Sequence, residues 1–332
     1  MKGIQVSKLG GADVLEYKEL PDPRPEPHQV LIQVRGASVN FADTRARSGG
    51  YHLGKKPPFT PGLDSAGIVL EVGSEVAQIK EGDHVIAFPA SGSYAEKAVV
   101  NQELTFVIPK TLDFVKASAA ALVAGTVTHM LQQVARIEED ESLLVHGAAG
   151  GVGTTALQVA KAAGISRVFG SIGSPWKEEH VRKMGAEGIV DYSSPTYAQN
   201  ILEMTGNKGV DVILNPIGGE TIEQDLICLA PFGRLVIFGE LGGGPATIPQ
   251  DSLYTNNKAI LGSSFGHYRR SRPAVVRESM ERVIEFLAAG KIDVFVDRCL
   301  RLSEASQAHQ RLENREALGK IVLVPDTFYQ GE

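Results

Sequence analysis

The chain has 332 residues, of which 43% are hydrophobic and 22% are charged, and it carries a formal net charge of −6. These are the values of a globular protein large enough for two domains, and the acidic balance argues against a nucleic-acid partner. Its two cysteines, Cys228 and Cys299, support neither a disulfide framework nor a four-cysteine zinc site. Because no continuous apolar run reaches the ~20 residues of a membrane span, and no signal-peptide pattern is seen, we expect a cytoplasmic protein that does not associate with membranes.

Short runs of β-forming residues, separated by glycine and proline turn signals, fill the first third of the chain. The predicted strands are Gly3–Ser7, Val30–Val34, Ala66–Val72 and His84–Phe88. Glycine within strands this short favours a coiled, barrel-like antiparallel sheet.

From about Leu112 the pattern changes to alternating helices and strands. A helix is predicted over Phe114–Gln133, with Asp113 as its N-cap. The strands that follow are predicted at Leu143–Val145, Arg167–Phe169, Gly188–Val190, Val210–Leu214, Leu235–Phe238 and Ile260–Ser263. The helices between them are predicted at Val152–Ala163, Trp176–Met184, Tyr197–Thr205 and Thr221–Cys228. This alternation predicts an α/β fold with a doubly wound parallel sheet of six strands.

A glycine-rich turn joins the first of these strands to its helix. The strand Leu143–Val145 leads directly into Gly147, Gly150, Gly151 and Gly153, and an apolar-periodic helix follows. Glycines let the backbone approach a pyrophosphate closely, and the free N–H groups at the helix N-terminus then hold its charge. The turn therefore predicts a dinucleotide site.

The residues after the second strand of this sheet indicate which dinucleotide is bound. An enzyme that uses NADH places an acidic residue there, to accept hydrogen bonds from the ribose 2′-hydroxyl. Here no Asp or Glu occurs between Ser171 and Lys177, whereas Gly173, Ser174 and Lys177 supply small polar groups and a cation. A 2′-phosphate needs donors and positive charge, so we expect NADPH.

The last part of the chain returns to the pattern of the first. A helix is predicted over Pro273–Ala289, and strands over Val294–Leu300 and Ile321–Val324. We infer that a nucleotide-binding domain, 121–294, is inserted into a domain formed by 1–120 with 295–332. A cleft between the two is the expected active site.

Several segments in a consistent order resemble the zinc-independent, zeta-crystallin-like quinone oxidoreductases of the medium-chain dehydrogenase/reductase superfamily. The matching segments are Val39–Arg45, Ser48–Tyr51, Thr60–Gly67, Val69–Gly73, Lys80–Val85, Gly125–Thr126, the glycine turn, Val190–Tyr192 and Leu318–Ile321. The resemblance implies a GroES-like β-barrel domain and a Rossmann-like domain. Zinc-dependent members carry cysteine at the position of Asn40 and histidine near that of Asp64, so we expect no metal in this chain.

The resemblance also implies roles for individual residues. Asn40 and Tyr51 match residues that line the substrate cleft, and we expect both to act in catalysis. The positions that match cofactor-binding residues are Thr126, Ala149, Gly150, Gly151, Val152, Gly173, Ser174, Lys177, Tyr192, Phe238, Gly239, Phe265 and Arg315.

Three functions are compatible with these patterns. Without zinc there is no Lewis acid to polarise an alcohol or ketone oxygen, which favours acceptors that are already electrophilic. The expected activity is therefore hydride transfer from NADPH to a quinone. The alternatives are reduction of an enone or an α,β-unsaturated thioester, and an NADPH-binding protein without turnover, such as a lens crystallin. A homodimer is expected by analogy with the family.

Overall fold

The computed structural model describes residues 1–50, 56–89 and 92–331, and the chain divides into two compact units. The first unit comprises Met1–Gly125 with Gly266–Glu332, and the second comprises Thr126–Phe265. The helix that begins at Pro273 groups with the first unit, where it packs against Gln102–Leu104 and the adjoining strand. The sequence pattern predicts this helix within the nucleotide-binding domain, 121–294, and the domain boundaries remain a prediction.

The strands are numbered in chain order. They are β1 (Lys2–Val6), β2 (Leu15–Glu19), β3 (Gln29–Val39), β4 (Ser65–Val72), β5 (His84–Ala87), β6 (Lys97–Asn101), β7 (Thr105–Val107), β8 (Ser142–Val145), β9 (Arg167–Ile172), β10 (Gly188–Asp191), β11 (Val210–Asn215), β12 (Leu229–Ile237), β13 (Ala259–Gly262), β14 (Val296–Arg301) and β15 (Lys320–Val324).

The helices follow the same order. They are α1 (Phe41–Ser48), α2 (Phe114–His129), α3 (Gly151–Ala162), α4 (Glu178–Lys183), α5 (Tyr197–Met204), α6 (Thr221–Cys228), α7 (Gln250–Tyr254), α8 (Phe265–Ser271), α9 (Pro273–Ala288) and α10 (Ala305–Glu313). Asp113 caps α2 as predicted, because its Oδ1 accepts a hydrogen bond from Lys116 N at 2.9 Å. A π-helical turn, Met130–Ala135, extends the same helix.

The first unit is built on a largely antiparallel sheet in the order β14-β15-β3-β4-β5-β7, with β6 also pairing with β3. Alternate residues of β3, such as Val30, Ile32 and Val34, enter its hydrophobic core. Strand β15 pairs with β3 antiparallel, with Ile321 opposite Val39. The end of the chain thus completes the sheet that the first third begins, as the sequence predicts.

The second unit contains a six-stranded parallel sheet in the order β10-β9-β8-β11-β12-β13. The chain runs outward from β8 to one edge and then from β11 to the other, so the sheet is doubly wound and the predicted fold class is confirmed. In such sheets ligands bind at the carboxyl ends of the strands, where the winding direction changes. Here that point lies between β8 and β11.

The helix predicted over Phe114–Gln133 is confirmed, and in the structure it is long and apolar. By length and composition, Phe114–Ala135 would be able to cross a membrane. However, 72% of its most apolar window is buried inside the protein, which is the environment of a core helix. Its alanines explain this, because small side chains let neighbouring elements pack closely on every face.

Candidate functional site

The glycine turn lies at the carboxyl end of β8, a strand whose four residues are all buried. Gly147 adopts a left-handed φ of +63°, and Gly150 N donates to Gly147 O at 3.0 Å, which closes the turn. Helix α3 begins at Gly151, immediately after Gly150. The first N–H groups of a helix have no acceptor within it, so those of Gly151 and Val152 are placed to bind an anion.

Two glycines of this turn have different surroundings. A Cβ on Gly153 would lie 2.3 Å from Gly147 O and 2.6 Å from Ala148 Cα, so α3 packs directly on the turn. A Cβ on Gly150 would lie 3.5 Å from its nearest neighbour, Gly147 O. Gly150 is exposed whereas Ala149 is buried. Gly153 thus serves packing, and Gly150 presents open backbone to a ligand.

A second group of predicted residues lies where β9 and β10 end. Tyr192 N donates to Ile172 O at 3.1 Å, and a Cβ on Gly173 would lie only 2.3 Å from Tyr192 Oη. Lys177 N donates to Ser174 O at 3.1 Å, which folds the segment after β9 into a short turn. The structure therefore brings Gly173, Ser174, Lys177 and Tyr192 into one neighbourhood, which we call the β9 loop site.

The charges at the β9 loop site fit a phosphate. Asp191, the last residue of β10, accepts hydrogen bonds from Ser193 N at 2.8 Å and Ser193 Oγ at 2.6 Å. The Asp191 carboxylate thus stabilises the turn that follows β10. Lys177 is the cation of the site, and its Nζ lies 5.0 Å from the ring centroid of Trp176, which is 57% exposed. A cation with nearby hydroxyl donors suits a 2′-phosphate.

Four further predicted cofactor residues belong to the second unit. Thr126 and Phe265 are its first and last residues, and Phe238 and Gly239 directly follow β12. Phe238 N donates to Asn215 O at 3.1 Å, and a Cβ on Gly239 would lie 2.8 Å from Pro216 O. Both residues therefore follow β12 on the carboxyl edge of the sheet. Thr126 is the first residue of the unit, and Phe265, the last, packs its ring against His129.

Beneath the glycine turn lies a buried polar network that the sequence analysis missed. His146 contacts Ser171 and Asp225, and Asp225 also accepts hydrogen bonds from Tyr197 and Asn215. The signal available in the sequence was a histidine at the end of an apolar strand, directly before a glycine turn.

In the first unit, Asn40 lies between β3 and α1 and is 6% exposed. Its Nδ2 donates to Asp64 Oδ1 at 2.7 Å and to Ser38 O at 3.2 Å, while its Oδ1 accepts from Lys320 Nζ at 2.6 Å. Both N–H groups of the amide are therefore engaged within the protein. A role as donor to a substrate oxygen requires one of these hydrogen bonds to be exchanged.

The carboxyl groups around Asn40 have raised pKa values. Burial, reinforced by the neighbouring Asp64 carboxylate, raises the pKa of Asp43 to about 7. Burial also raises the pKa of Asp64 and lowers that of Lys320. Asp43 Oδ2 accepts hydrogen bonds from Asn40 N at 2.9 Å and from Tyr94 Oη at 3.2 Å. Asn40 thus lies in a cluster that changes its protonation near neutral pH.

Two predicted site residues stand apart from these groups. Tyr51 lies outside the described residues. Arg315 belongs to the first unit, where it follows α10 with a left-handed φ of +59° and is exposed. The other predicted cofactor residues belong to the second unit.

The described residues show no site for a metal ion. Within 1–50, 56–89 and 92–331, no group of three or more His, Cys, Asp or Glu side chains is placed to hold a metal ion. The predicted independence from zinc remains a prediction.

Two segments of the chain match models of known protein families. Residues 26–110 match the alcohol dehydrogenase GroES-like domain, and residues 151–289 match the domain described as zinc-binding dehydrogenase. The quinone oxidoreductase of Pseudomonas aeruginosa is 35% identical, over 98% of this chain and 99% of its own length. Quinone oxidoreductase 1 of Escherichia coli is 33% identical, over 97% and 99%.

Two similar solved structures contain NADPH. Escherichia coli quinone oxidoreductase complexed with NADPH has a TM-score of 0.88 and 31% identity, covering 98% of this chain and 100% of its own. The mycobacterial protein Rv1454c complexed with NADPH has a TM-score of 0.90 and 30% identity, with the same coverage.

Proposed function

The chain belongs to the quinone oxidoreductase family of the medium-chain dehydrogenase/reductase superfamily, and we propose that it transfers a hydride from NADPH to a quinone. It is an oxidoreductase with a GroES-like domain and a Rossmann-like domain, and its cofactor is NADPH. Its substrate is a small molecule. The quinone as acceptor is supported by relatives of that name that match over nearly the full length of this chain.

The observation that carries the proposal is the pairing of the open glycine turn with the β9 loop site on one edge of the sheet. In the proposed complex, N–H groups of Gly151 and Val152 bind the pyrophosphate at the α3 N-terminus. Lys177 and Tyr192 bind the 2′-phosphate, with Lys177 supplying the positive charge. When bound, NADPH supplies the hydride.

The residues assigned to the acceptor would orient it and supply the proton that the reduction needs. Reduction of a quinone to a hydroquinone takes up one hydride from NADPH and one proton, and releases NADP⁺. We assign proton donation to Tyr51 or to solvent, and assign to Asn40 a polar contact with the acceptor oxygen, where negative charge develops. Because both N–H groups of the Asn40 amide are engaged by Asp64 and Ser38, this contact requires one of the two hydrogen bonds to be exchanged, while Lys320 continues to hold the amide oxygen.

A panel of acceptors tests the activity. NADPH oxidation would be followed with 1,4-benzoquinone, 9,10-phenanthrenequinone, crotonyl-CoA and a simple enone. A kcat/KM for either quinone well above that for crotonyl-CoA and the enone supports the proposal. Preference for the thioester or enone would replace it with enoyl or enone reduction. Tight NADPH binding without turnover of any acceptor would leave a binding protein of the crystallin kind.

The cofactor assignment has its own test in Lys177→Ala. Loss of the ammonium should weaken NADPH about tenfold while leaving NADH, which has no 2′-phosphate, nearly unchanged. Lys183→Ala is the matched control, because Lys183 is the last residue of α4, at the other end of the helix that follows Lys177, and pairs with Glu179 on the surface. Equal effects of both variants on NADPH would contradict the placement of the 2′-phosphate.

We propose further that the protein is a cytoplasmic homodimer. Strand β13 forms one edge of the parallel sheet, and Phe232 on the neighbouring strand β12 is 70% exposed. An open strand edge beside exposed apolar side chains suits pairing with a second copy. Phe232→Asp should shift the sedimentation coefficient from dimer to monomer, and an unchanged dimer would contradict this interface.

A further inference from the structure

Five polar side chains form a buried network beneath the proposed cofactor site. They come from the carboxyl ends of β8, β9 and β11 and from α5 and α6, and each is at most 1% exposed. The members are His146, Ser171, Tyr197, Asn215 and Asp225. Buried polar groups are costly unless they are fully hydrogen-bonded, so a network of this size at one edge of the sheet requires an explanation.

Both ring nitrogens of His146 make short contacts within the network. Its Nε2 lies 2.6 Å from Asp225 Oδ1, and because a carboxylate only accepts, Nε2 carries the hydrogen. The other ring nitrogen, Nδ1, lies 2.6 Å from Ser171 Oγ, within hydrogen-bonding distance. Asp225 further accepts from Tyr197 Oη at 2.9 Å and from Asn215 Nδ2 at 2.6 Å.

Each end of the network holds a different loop of the cofactor site. His146 directly precedes Gly147, the first glycine of the turn. Ser171 lies two residues before Gly173 of the β9 loop site. Its backbone carbonyl also accepts a hydrogen bond from the glycine turn, with 2.9 Å between Ala148 N and Ser171 O. On the other side, Asn215 Oδ1 accepts from the N–H groups of Ile217 and Gly218 at 2.7 and 2.9 Å, which winds the loop after β11 around it.

We propose that His146 is a positioning residue that sets the separation between the pyrophosphate-binding turn and the 2′-phosphate-binding loop. It contacts neither phosphate itself. Its ring bridges β8 and β9 at the point where the two strands deliver these loops, and Asp225 keeps the ring in the required orientation. Preference for NADPH then depends on this bridge as well as on Lys177, since both phosphates must fit at once. The proposal rests on the placement of NADPH given above.

The test compares the dissociation constants of NADPH and NADH. Both would be measured by equilibrium fluorescence titration, without turnover, in the full-length chain. In Ser171→Ala and His146→Asn the loss of the bridge should weaken NADPH about tenfold and NADH less than about twofold. NADH should be less affected because it lacks the 2′-phosphate, so its binding does not depend on the separation between the glycine turn and the β9 loop site.

Thr205→Val is the matched control. Thr205 is also a buried hydroxyl residue of this unit, and its Oγ1 accepts from Gly209 N at 3.0 Å at the amino end of β11, away from the cofactor edge. This variant should lose stability, as Ser171→Ala does, but keep the wild-type ratio of the NADPH and NADH dissociation constants. Ser171→Ala removes a single oxygen and keeps the test usable if His146→Asn does not fold.

Two results separate failure of this inference from failure of the cofactor placement. If Lys177→Ala weakens NADPH but folded Ser171→Ala and His146→Asn keep the wild-type ratio, the positioning role is wrong and the placement stands. If Lys177→Ala has no effect on NADPH, the placement fails and the inference fails with it. A collapse of the ratio in Thr205→Val as well would reduce the network to a general structural role and also overturn the proposal.

Discussion

The ammonium group of Lys320 donates a hydrogen bond to the side-chain oxygen of Asn40, with 2.6 Å between Nζ and Oδ1. The antiparallel pairing of β15 with β3 makes this contact possible, because it places Ile321 opposite Val39. With Lys320 on one side of the amide and Asp64 on the other, only one orientation of Asn40 satisfies both charges. A residue from the end of the chain therefore orients a predicted catalytic residue near its beginning.

Replacing Lys320 with methionine should destabilise the protein strongly. Lys320→Met leaves Asn40 Oδ1 and Val39 O without their donor and leaves two buried carboxyl groups without their cation. Leaving buried polar and charged groups without their cation costs about 3 kcal/mol or more in the free energy of unfolding, which urea denaturation would measure.

An exposed lysine provides the control for that variant. Lys116 Nζ pairs with Asp293 at 2.7 Å on the surface, where its side chain is 44% exposed. Lys116→Met should cost less than about 1 kcal/mol, as is usual for surface ion pairs. A similar cost for the two methionine variants would show that the buried ammonium does not stabilise the Asn40 cluster.

Asp43 should make stability depend on pH. Its pKa in the folded protein is about 7, above the ~3.9 of an unfolded chain. Its contribution to stability is therefore complete below pH ~4 and is lost as pH rises through 7. Relative to Asp43→Asn, wild-type stability should fall by on the order of 2 kcal/mol between pH 5 and pH 8, measured by urea unfolding at both values.

The comparison with Asp43→Asn is needed because other buried groups oppose this trend. Burial lowers the pKa of His309 to about 3 and that of His129 to about 4, so both add stability as pH rises towards ~6.5. These histidines are common to the two proteins and largely cancel in the difference. A difference in stability that does not change with pH would mean that Asp43 is ionised throughout the range.

The fluorescence of Trp176 should report the 2′-phosphate. Trp176 is the only tryptophan of the chain, is 57% exposed, and has the Lys177 ammonium 5.0 Å from its ring centroid. A phosphate that draws this ammonium away from the ring alters the surroundings of the indole. Titration with 2′,5′-ADP should therefore change the emission, and 5′-AMP at the same concentration should change it much less. Equal responses to both ligands would place the 2′-phosphate elsewhere.

The sequence predicted the second unit well because its signals are local. The six strands and the helices α3 to α6 follow from apolar periodicity, whereas the short helix α7 was not predicted. The spacing of the glycines in Gly147–Gly153 indicates the function of that turn by itself. Helix α10 was missed because it has few apolar residues, and the strands β2, β6 and β7 because they are short or partly exposed.

The buried polar networks could not be predicted from the sequence, because their members lie far apart along the chain. Lys320 and Asn40 are 280 residues apart, and His146 and Asp225 are 79 residues apart, so no local pattern joins them. The sequence does show two polar residues beside apolar strands, Lys320 at the start of β15 and His146 directly after β8. Their partners depend on strand order, which only the folded chain provides.

Two alanine substitutions in the glycine turn should separate packing from ligand binding. In Gly153→Ala the new methyl group meets backbone, 2.3 Å from Gly147 O, so α3 must move away from the turn. Overpacking of this kind costs about 1–3 kcal/mol in the free energy of unfolding. Gly150 has a φ of −81° that alanine adopts freely, and the nearest atom to the new methyl would be 3.5 Å away.

Gly150→Ala should therefore unfold at the wild-type urea concentration and yet bind NADPH about tenfold more weakly, because its methyl group occupies the space that the pyrophosphate needs. Each variant is thus the control for the other: one should lose stability, and the other should lose affinity without losing stability. If Gly150→Ala keeps wild-type affinity for both NADPH and NADH, the pyrophosphate does not approach the backbone at this glycine. The anion site at the α3 N-terminus would then have to be withdrawn, even if Gly153→Ala behaves as expected.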